Sequence, residues 1–292
     1  MNFPETLQSA GLIPSEIVSD GAWRRCPTED HPRKRNGAYK LFPGGRLGLY
    51  RNWATHETVC QWKDDRPTDQ ATRMRVLRSR SDLAAVSIKA TKMAAEHLQK
   101  CSPFQKVPLY LSRKGLGTLG TKGMMWDGGL IIPVVRHDGS LMSLQRIGED
   151  GQKRFWPRAP IKGGAFTMSR RDAAVTCIVE GVATGLAIFQ SIPSARVIVA
   201  FDAGNIPHVI ASHKPRGSVV VCADNDHETA KRIGYNPGLR AAERAAEMIG
   251  CGVAAPMDIE GTDWADAIME YGERAAKRIE RSVLAQARYV SR

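Results

Sequence analysis

The chain has 292 residues, which is enough for one large domain or for two or three smaller ones. It has no run of 18 apolar residues, and its N-terminal stretch lacks a basic region followed by a long apolar core, so we expect no transmembrane helix and no signal peptide. The six cysteines are scattered along the chain, which favours a reduced cytoplasmic protein over a disulfide-stabilised one.

The net charge of +12 is distributed unevenly along the chain. Residues 1–172 contain 29 Lys and Arg against 16 Asp and Glu, whereas the remaining residues contain 13 against 14. A basic segment of this size is typical of a protein that binds a polyanion, most often nucleic acid. The alternative is a basic surface that serves solubility or lies against a membrane surface.

Residues 1–65 are rich in Gly, Pro, Arg and aromatic residues, and they predict a small β-rich module whose short strands are joined by a Gly-Gly turn. In this module Arg46 and Arg51 alternate with Tyr50 and Trp53. Such a mixture of charged and aromatic side chains is typical of proteins that bind single-stranded nucleic acid. An ordinary β-meander with a basic surface would give the same pattern.

Residues 70–101 contain no Gly or Pro, and their apolar residues have helical spacing, so we assign residues 66–104 to a helical connector. Residues 105–171 follow as a basic α+β subdomain. It contains a predicted β-hairpin at residues 128–147, which turns at an Asp-Gly pair and leads into a basic loop.

From residue 172 the pattern changes to short apolar strands that alternate with helices, which predicts a doubly wound parallel sheet. We assign this sheet to residues 172–270 and a helical, basic tail to residues 271–292. The predicted fold class is therefore α/β, with a Rossmann-like sheet in the C-terminal part, preceded by the basic subdomain and the β-rich module.

Several strands of the predicted sheet end in carboxylates. One strand ends at Asp224 and Asp226, two others end at Glu180 and Asp202, and Asp263 lies in the later stretch GTDWADA. Because parallel strands place their carboxyl ends on one edge of a sheet, these acids can share one cleft. Two carboxylates held close together require a proton or a cation, and oxygen ligands suit Mg²⁺ or Mn²⁺. A single solvated Asp-Asn-Asp loop that caps a helix is the simpler alternative.

The order of these acids resembles that of a TOPRIM domain. Glu180 follows one strand, and the Asp224-x-Asp226 pair follows another strand 44 residues later. This domain is the catalytic module of bacterial primases, of type IA and type II topoisomerases and of some nucleases.

The segments before the sheet narrow the resemblance to bacterial-type primases. They are YLSRKGL at residues 110–116, LQRI at residues 144–147 and KGG at residues 162–164. The sequences of these segments are most similar to those of the short primases of conjugative plasmids and phages. With these segments the resemblance covers residues 105–270.

The resemblance implies a cytoplasmic DNA primase that makes short RNA primers on a single-stranded DNA template. Its substrates would be ribonucleoside triphosphates, its cofactor Mg²⁺ or Mn²⁺, and a separate helicase would be its partner. Asp224 and Asp226 would be metal ligands, and Glu180 a further ligand or a proton-transfer group. Asp202 and Asp263 are additional candidate ligands, although Asp202 could instead cap the turn at Gly204.

Basic residues of the subdomain are expected to bind the phosphates of the nucleotide or of the template, because charge-assisted contacts to phosphate are strong. A general, non-catalytic contact with the template is the alternative role. The candidates are Arg113, Lys114, Arg146, Lys153, Arg154 and Lys162.

Primases of this type usually begin with a zinc ribbon, but here Cys26-x₄-His31 and His56-x₃-Cys60 lack the usual C-x₂-C spacing. We therefore expect a zinc-free N-terminal module that resembles a degenerate zinc ribbon and contacts the template. A fourfold zinc site at these residues stays open as the alternative.

Two other functions also stay open. A TOPRIM nuclease would use the same acids with water as the nucleophile, but the basic stretch at residues 110–164 argues against it. A catalytically silent nucleic-acid-binding module is the second alternative, and the complete set of acids argues against that one.

Overall fold

A computed structural model describes residues 1–56, 58–64, 70–103, 106–117 and 124–291. The chain forms two compact units, Met1–Val86 and Ser87–Arg292. The domain boundaries predicted near residues 65 and 104 lie outside the described residues. Within the described ranges, no helix combines the length and the apolar character needed to cross a lipid bilayer.

The first unit is built on an antiparallel sheet with the strand order β1-β2-β3-β4. Its elements are α1 (Phe3–Ser9), β1 (Arg24–Cys26), β2 (Gly37–Leu41), β3 (Leu47–Asn52) and β4 (Cys60–Lys63). Helix α1 places the ring of Phe3 against Tyr39 and Trp62, with ring centroids 6.2 and 5.3 Å away. A Cβ atom at residue 48 would lie 2.1 Å from the Phe3 ring, so this packing requires Gly48. The strands and the Gly-Gly turn predicted for this module are confirmed.

The predicted helical connector is observed as α2 (Gln70–Lys100). The part of α2 that belongs to the second unit buries Ala90 and Ala94. There the hydroxyl of Thr91 donates a hydrogen bond of 2.9 Å to the backbone oxygen of Met142. These contacts attach α2 to one face of the next sheet.

That sheet is antiparallel, with the strand order β5-β6-β7-β8-β9. Its elements, with the short helix α3, are β5 (Ser102–Pro103), α3 (Leu109–Arg113), β6 (Met124–Trp126), β7 (Gly129–Val135), β8 (Leu141–Ile147) and β9 (Lys153–Phe155). The predicted hairpin is confirmed by the pairing of β7 with β8. One face of the sheet packs on α2 through Ile131 and Leu144, and the other face joins the main core through Leu130 and Ile147.

The predicted parallel sheet is also confirmed. Strands β11, β12, β13 and β14 run parallel in the spatial order β12-β11-β13-β14. In chain order the elements are β10 (Phe166–Met168), β11 (Val175–Val179), α4 (Val182–Ser191), β12 (Ala195–Val199), α5 (Ile206–His213), β13 (Gly217–Cys222), α6 (His227–Ile233), α7 (Pro237–Glu247), β14 (Gly252–Ala254), α8 (Trp264–Tyr271), α9 (Ala275–Leu284) and β15 (Arg288–Val290). Both faces of the central strands are buried, which explains why their sequences are continuous apolar runs.

Two antiparallel strands extend this sheet beyond its predicted limits. Strand β10 pairs with β12, although it precedes residue 172, and the apolar core is continuous across that position. Strand β15 pairs with β13 through Ser218 and Tyr289. The last segment is thus partly helical, as expected, but it ends as a strand of the sheet instead of a separate tail.

The packing of α9 predicts a large effect of mutation on stability. Ile279 is 1% exposed, whereas Lys277 on the same helix is exposed. We expect Ile279→Ala to lower the free energy of unfolding by about 2–5 kcal/mol, because it removes buried methyl groups and leaves a cavity. The control Lys277→Ala should change it by less than about 0.5 kcal/mol. Urea denaturation measures both, and equal midpoints for the two variants would show that α9 is not part of the core.

Candidate active site

The carboxyl ends of three adjacent parallel strands bring acidic residues together. Asp202 follows β12, Glu180 follows β11, and Asp224 and Asp226 follow β13. Since Val179 of β11 is level with the last residues of β12 and β13, the acids lie along one edge of the sheet in the order Asp202, Glu180, Asp224. The shared acidic edge predicted from the sequence is therefore observed.

A buried asparagine holds the loop after β13 in place. Asn225 is 5% exposed, and its amide donates to the backbone oxygen of Pro256 at 3.3 Å. Its side-chain oxygen accepts from Asn236 at 2.9 Å, and its backbone N–H donates to the oxygen of Thr262. Because Asn225 is held inward by these bonds, the carboxylates on either side of it are positioned by a rigid loop.

Asp224 is oriented by the helix that follows Glu180. The hydroxyl of Thr184, in the first turn of α4, donates a hydrogen bond of 2.7 Å to Oδ1 of Asp224. Burial raises the pKa of Asp224 to about 7, and the charges of Glu180, Asp263 and Asp226 contribute to the rise. Thr184 opposes the shift, because it donates to the charged form. Asp224 thus sits where a negative charge is costly without a cation.

The charged form of Glu180 is also destabilised by its surroundings. Burial raises its pKa, and the charges of Asp226 and Asp202 raise it further. The ammonium of Lys153 and the backbone N–H of Ala203 lower it, but they do not reverse the shift. The acids therefore repel one another across the edge, and a proton or a cation would relieve the repulsion.

These carboxylates fit a hydrated divalent cation better than an all-protein metal cage. Among the described residues, no group of three or more His, Cys, Asp and Glu surrounds one point closely enough to hold an ion by itself. Mg²⁺ is usually bound by one or two carboxylates and keeps several waters. Asp224, Asp226 and Glu180 have the donor chemistry for that kind of site.

Asp202 already has a structural role. Its Oδ1 accepts a hydrogen bond of 2.9 Å from the backbone N–H of Asn205 and caps the 3₁₀ turn at Ala203–Asn205. This contact agrees with the alternative role of Asp202 as a cap of the turn at Gly204.

Asp263 forms an ion pair with Lys114, which lies 149 positions earlier in the chain. It caps α8 by accepting from the backbone N–H of Asp266, and the ammonium of Lys114 donates to both carboxylates at 2.9 and 2.7 Å. Burial opposes the charge on Lys114, but these two partners raise its pKa overall. The contacts favour Asp263 and Lys114 as an ion-pair anchor between α3 and α8, instead of the predicted metal ligand and phosphate-binding residue.

Lys153 faces the acidic edge. Its ammonium lies 3.7 Å from the position that a Cβ atom of Gly181 would occupy, directly over the turn after Glu180. It also borders a cavity of about 390 Å³ between the basic sheet and α8. The other lining residues are Tyr110, Arg113, Lys114, Asp150, Gly151 and Asp263.

Lys162 lies at the other end of the acidic edge, near Asp202. Burial lowers the pKa of the nearby His208, the charge of Lys162 lowers it further, and the charge of Asp202 acts in the opposite direction. The neighbouring Gly163 donates its N–H to Oδ1 of Asn205 at 2.8 Å, which fixes the loop.

The six predicted basic residues do not form one set. Arg146 is the register partner of Ile131 and Arg154, and Ile131 packs towards α2. Lys153 is the partner of Ile147, which packs in the main core. Because side chains alternate along a strand, Arg146 and Arg154 lie on the face opposite to Lys153 and the acidic edge. The prediction that treated them as one group was too coarse.

Three residues of the site, Thr184, Asn225 and Tyr110, were not predicted from the sequence. Tyr110 is 8% exposed and borders the cavity beside Lys153. Burial raises its pKa, Lys114 opposes this, and the charges of Asp263 and Asp224 add to the rise, which places its hydroxyl near the acids. Thr184 lies four residues after Glu180, about one helical turn. This spacing was the sequence signal that its side chain lies near the acidic edge.

The four candidate zinc ligands of the first unit are not brought together. Cys26 lies on β1 and Cys60 on β4, the two outer strands, so about 14 Å separates them at the usual strand spacing. His31 contacts Asp30 at 2.7 Å, and His56 contacts the backbone N–H of Asn52 at 3.2 Å. A tetrahedral zinc ion needs thiolates about 2.3 Å from the metal, so this alternative does not fit the geometry.

We accordingly expect the purified protein to carry less than one zinc ion per chain and to keep its fold in a chelator. Circular dichroism with and without EDTA, together with elemental analysis, measures both properties. Equimolar zinc and unfolding on chelation would restore Cys26, His31, His56 and Cys60 as ligands.

Residues 175–274 match the family model described as Toprim domain. The matched segment contains the whole acidic edge, and its strand order carries Glu180, Asp224 and Asp226 at adjacent strand ends. This part of the chain is a Toprim domain, as the sequence resemblance indicated.

Two sequence relatives are named DNA primase. The chain is 27% identical over 277 residues to a DNA primase TraC of Escherichia coli, covering 85% of this chain and 19% of that protein. A second E. coli DNA primase TraC is 28% identical over 273 residues, covering 85% of this chain and 25% of that protein. The chain thus spans about a fifth to a quarter of the length of these relatives.

Solved primase structures show distant likeness. The primase fragment of the bacteriophage T7 primase-helicase protein has a TM-score of 0.44 and 12% identity, covering 62% of this chain and 76% of that one. A DNA primase domain from Pseudomonas aeruginosa has a TM-score of 0.37 and 21% identity, covering 61% and 59%.

Proposed function

We propose that the chain is a DNA primase that joins ribonucleotides into short primers on single-stranded DNA. The observation that carries the proposal is the acidic edge of the Toprim domain, where Glu180, Asp224 and Asp226 converge beneath Lys153. The relation to proteins named DNA primase over 85% of the chain supports it. The basic subdomain beside this edge supports a phosphate-rich substrate.

Primer synthesis requires the 3′-hydroxyl of one nucleotide to attack the α-phosphate of the next. A divalent cation, Mg²⁺ or Mn²⁺, would neutralise phosphate charge and acidify the hydroxyl in this site. Asp224 and Asp226 would hold it, with Asp224 oriented by the hydroxyl of Thr184. Glu180 would complete the ligands or accept the proton of the attacking hydroxyl, a role that its raised pKa suits.

The cations around the cavity would hold the triphosphate. Lys153 and Arg113 border the cavity beside the acids, and they can donate to phosphate oxygens. The Lys114 ion pair would keep α3, and therefore Arg113, docked against α8. We further propose that the protein acts in the cytoplasm and that a helicase partner opens the duplex.

The test is a synthesis assay with labelled ribonucleotides on circular single-stranded DNA. We expect short, ribonuclease-sensitive products that require Mg²⁺ or Mn²⁺ and the single-stranded template. A labelled single-stranded DNA that is shortened by the protein, without any ribonucleotide product, would instead support a nuclease. Binding of DNA with neither reaction would support the silent binding module.

A further inference from the structure

A second cavity, of about 760 Å³, lies where β14 meets α8 and α9. We call it the α9 cavity. Its walls come from residues 253–258, which are the end of β14 and the loop after it, and from side chains of α8 and α9. It shares no lining residue with the cavity beside Lys153, and the acids of the acidic edge do not border it. Its volume is in the range of sites that bind a small organic molecule.

The inner wall of the α9 cavity is apolar. The side chains of Trp264 and Ile279 are buried in the core, and both border the cavity. Val253, the middle residue of β14, borders it as well. Strand β14 pairs with β13 on one side, and no strand within the described ranges pairs with it on the other. An apolar molecule that covered this wall would remove it from water and gain free energy.

Two cations lie at the rim of the same cavity. Arg278 and Arg281 are exposed and three positions apart on α9, so they lie on one face of the helix. The guanidinium carbon of Arg278 is 4.3 Å from the ring centroid of Tyr271. In the part of the chain that the structure describes, neither arginine forms an ion pair, and Asp258 is the only acid that borders the cavity. The rim can therefore bind an anionic group.

The wall of the α9 cavity is hydrogen-bonded to the loop that carries Asp224. The indole N–H of Trp264 donates to the backbone oxygen of Ala223 at 3.0 Å. The backbone oxygen of Pro256 accepts from the side-chain amide of Asn225 at 3.3 Å. Ala223 and Asn225 are the two neighbours of Asp224 in the chain. A molecule in the cavity would thus contact residues that hold this loop in place.

We propose that the α9 cavity binds a small organic anion, whose charged group pairs with Arg278 and Arg281 and whose apolar body covers the wall at Trp264. Its binding is coupled to cation binding at the acidic edge, because the loop at residues 223–226 is held from the cavity and carries Asp224. Both ligands restrict this loop, so each tightens the binding of the other. The coupling rests on the proposed function, since it requires the cation site, whereas binding of the anion does not.

The probe is 8-anilinonaphthalene-1-sulfonate, an aromatic sulfonate whose fluorescence rises on binding, added to the full chain without metal or nucleotide. We expect Arg278→Gln/Arg281→Gln to weaken its binding by about tenfold or more, because charge-assisted contacts to the sulfonate are lost. Ala285→Trp fills the cavity from an exposed position and keeps both arginines, so it should weaken binding as much. The matched control Lys277→Gln removes one charge from the same helix outside the cavity and should bind as the wild type does.

Competition tests the chemical class of the ligand. Decanoate, an anion with an apolar chain, should displace the probe, whereas inorganic phosphate at the same concentration should not. Displacement by phosphate as well would show a site that makes no use of the apolar wall, and it would overturn the inference. Equal weakening of probe binding by Lys153→Gln would place the probe in the catalytic cavity, with the same consequence. Wild-type affinity in both the arginine double variant and Ala285→Trp would also overturn it.

The coupling is measured by electron paramagnetic resonance of free Mn²⁺, with and without saturating probe. We expect the bound probe to tighten Mn²⁺ binding by about fivefold or more, the lower end of typical couplings, and to have no effect in Arg278→Gln/Arg281→Gln. Equal Mn²⁺ affinity with and without the probe, or no Mn²⁺ binding, would reject the coupling. A chain that binds the probe and Mn²⁺ as expected but makes no primers would keep this inference and reject only the proposed synthesis.

Discussion

Asp224→Asn is expected to reduce primer synthesis by a factor on the order of 10³, the effect of removing one preorganised charge from an active site. The variant keeps the hydrogen-bonding shape of the side chain but loses the carboxylate that Thr184 orients. DNA binding should be unchanged or slightly tighter, since the substitution removes a negative charge near a polyanion. The labelled-ribonucleotide assay and an oligonucleotide binding titration measure the two properties.

Asp226→Asn should behave in the same way, because the neighbouring Asn225 holds both carboxylates in one rigid loop. The matched control is Asp138→Asn, whose carboxylate accepts a hydrogen bond from the nearby Ser140 in an exposed turn, and which should synthesise at the wild-type rate. Wild-type synthesis by Asp224→Asn and Asp226→Asn would remove these residues from the catalytic assignment.

The metal-free protein is expected to lose stability as the pH rises from about 4 to about 7, and Asp224 should cause much of this loss. The pKa of Asp224 is raised to about 7 by burial, so between these values the folded state holds a proton that the unfolded state has released. The stabilisation by this proton is complete below the unfolded pKa and is lost as the pH rises through the folded pKa. The loss is on the order of 2–4 kcal/mol.

Asp224→Asn should therefore be more stable than the wild type at about pH 8 and similar to it at about pH 4. Added Mg²⁺ should recover the stability of the wild type at the higher pH and stabilise the variant less, because the variant has lost one of the carboxylates that hold the cation. Urea denaturation at both pH values, with and without Mg²⁺, measures this. An identical pH dependence in the two proteins would mean that burial does not raise the pKa of Asp224 in the folded protein.

The order of elements in the second unit was predictable because its causes are local. Apolar runs such as residues 219–223 read as buried strands, since a strand covered on both faces needs apolar residues at every position. A parallel sheet then places strand ends on one edge. The placement of Glu180, Asp224 and Asp226 at one edge was therefore predictable without any knowledge of contacts.

The limits of the sheet were less predictable. Strands β10 and β15 have three residues each, and their stability comes from pairing with β12 and β13, not from their own pattern. Periodicity cannot distinguish such short segments from loops or helix ends.

The sequence by itself determined the Toprim sheet, the acidic edge and the basic character of the part that precedes it. Only the tertiary structure decided which charges meet. Lys114 is neutralised by Asp263 and Asp266, about half a chain away, and Asp202 is used as a turn cap. The alternation along β8 and β9 separates Arg146 and Arg154 from Lys153. The physical reason is that strand and helix patterns arise from neighbouring residues, whereas ion pairs and shared faces depend on how distant segments pack.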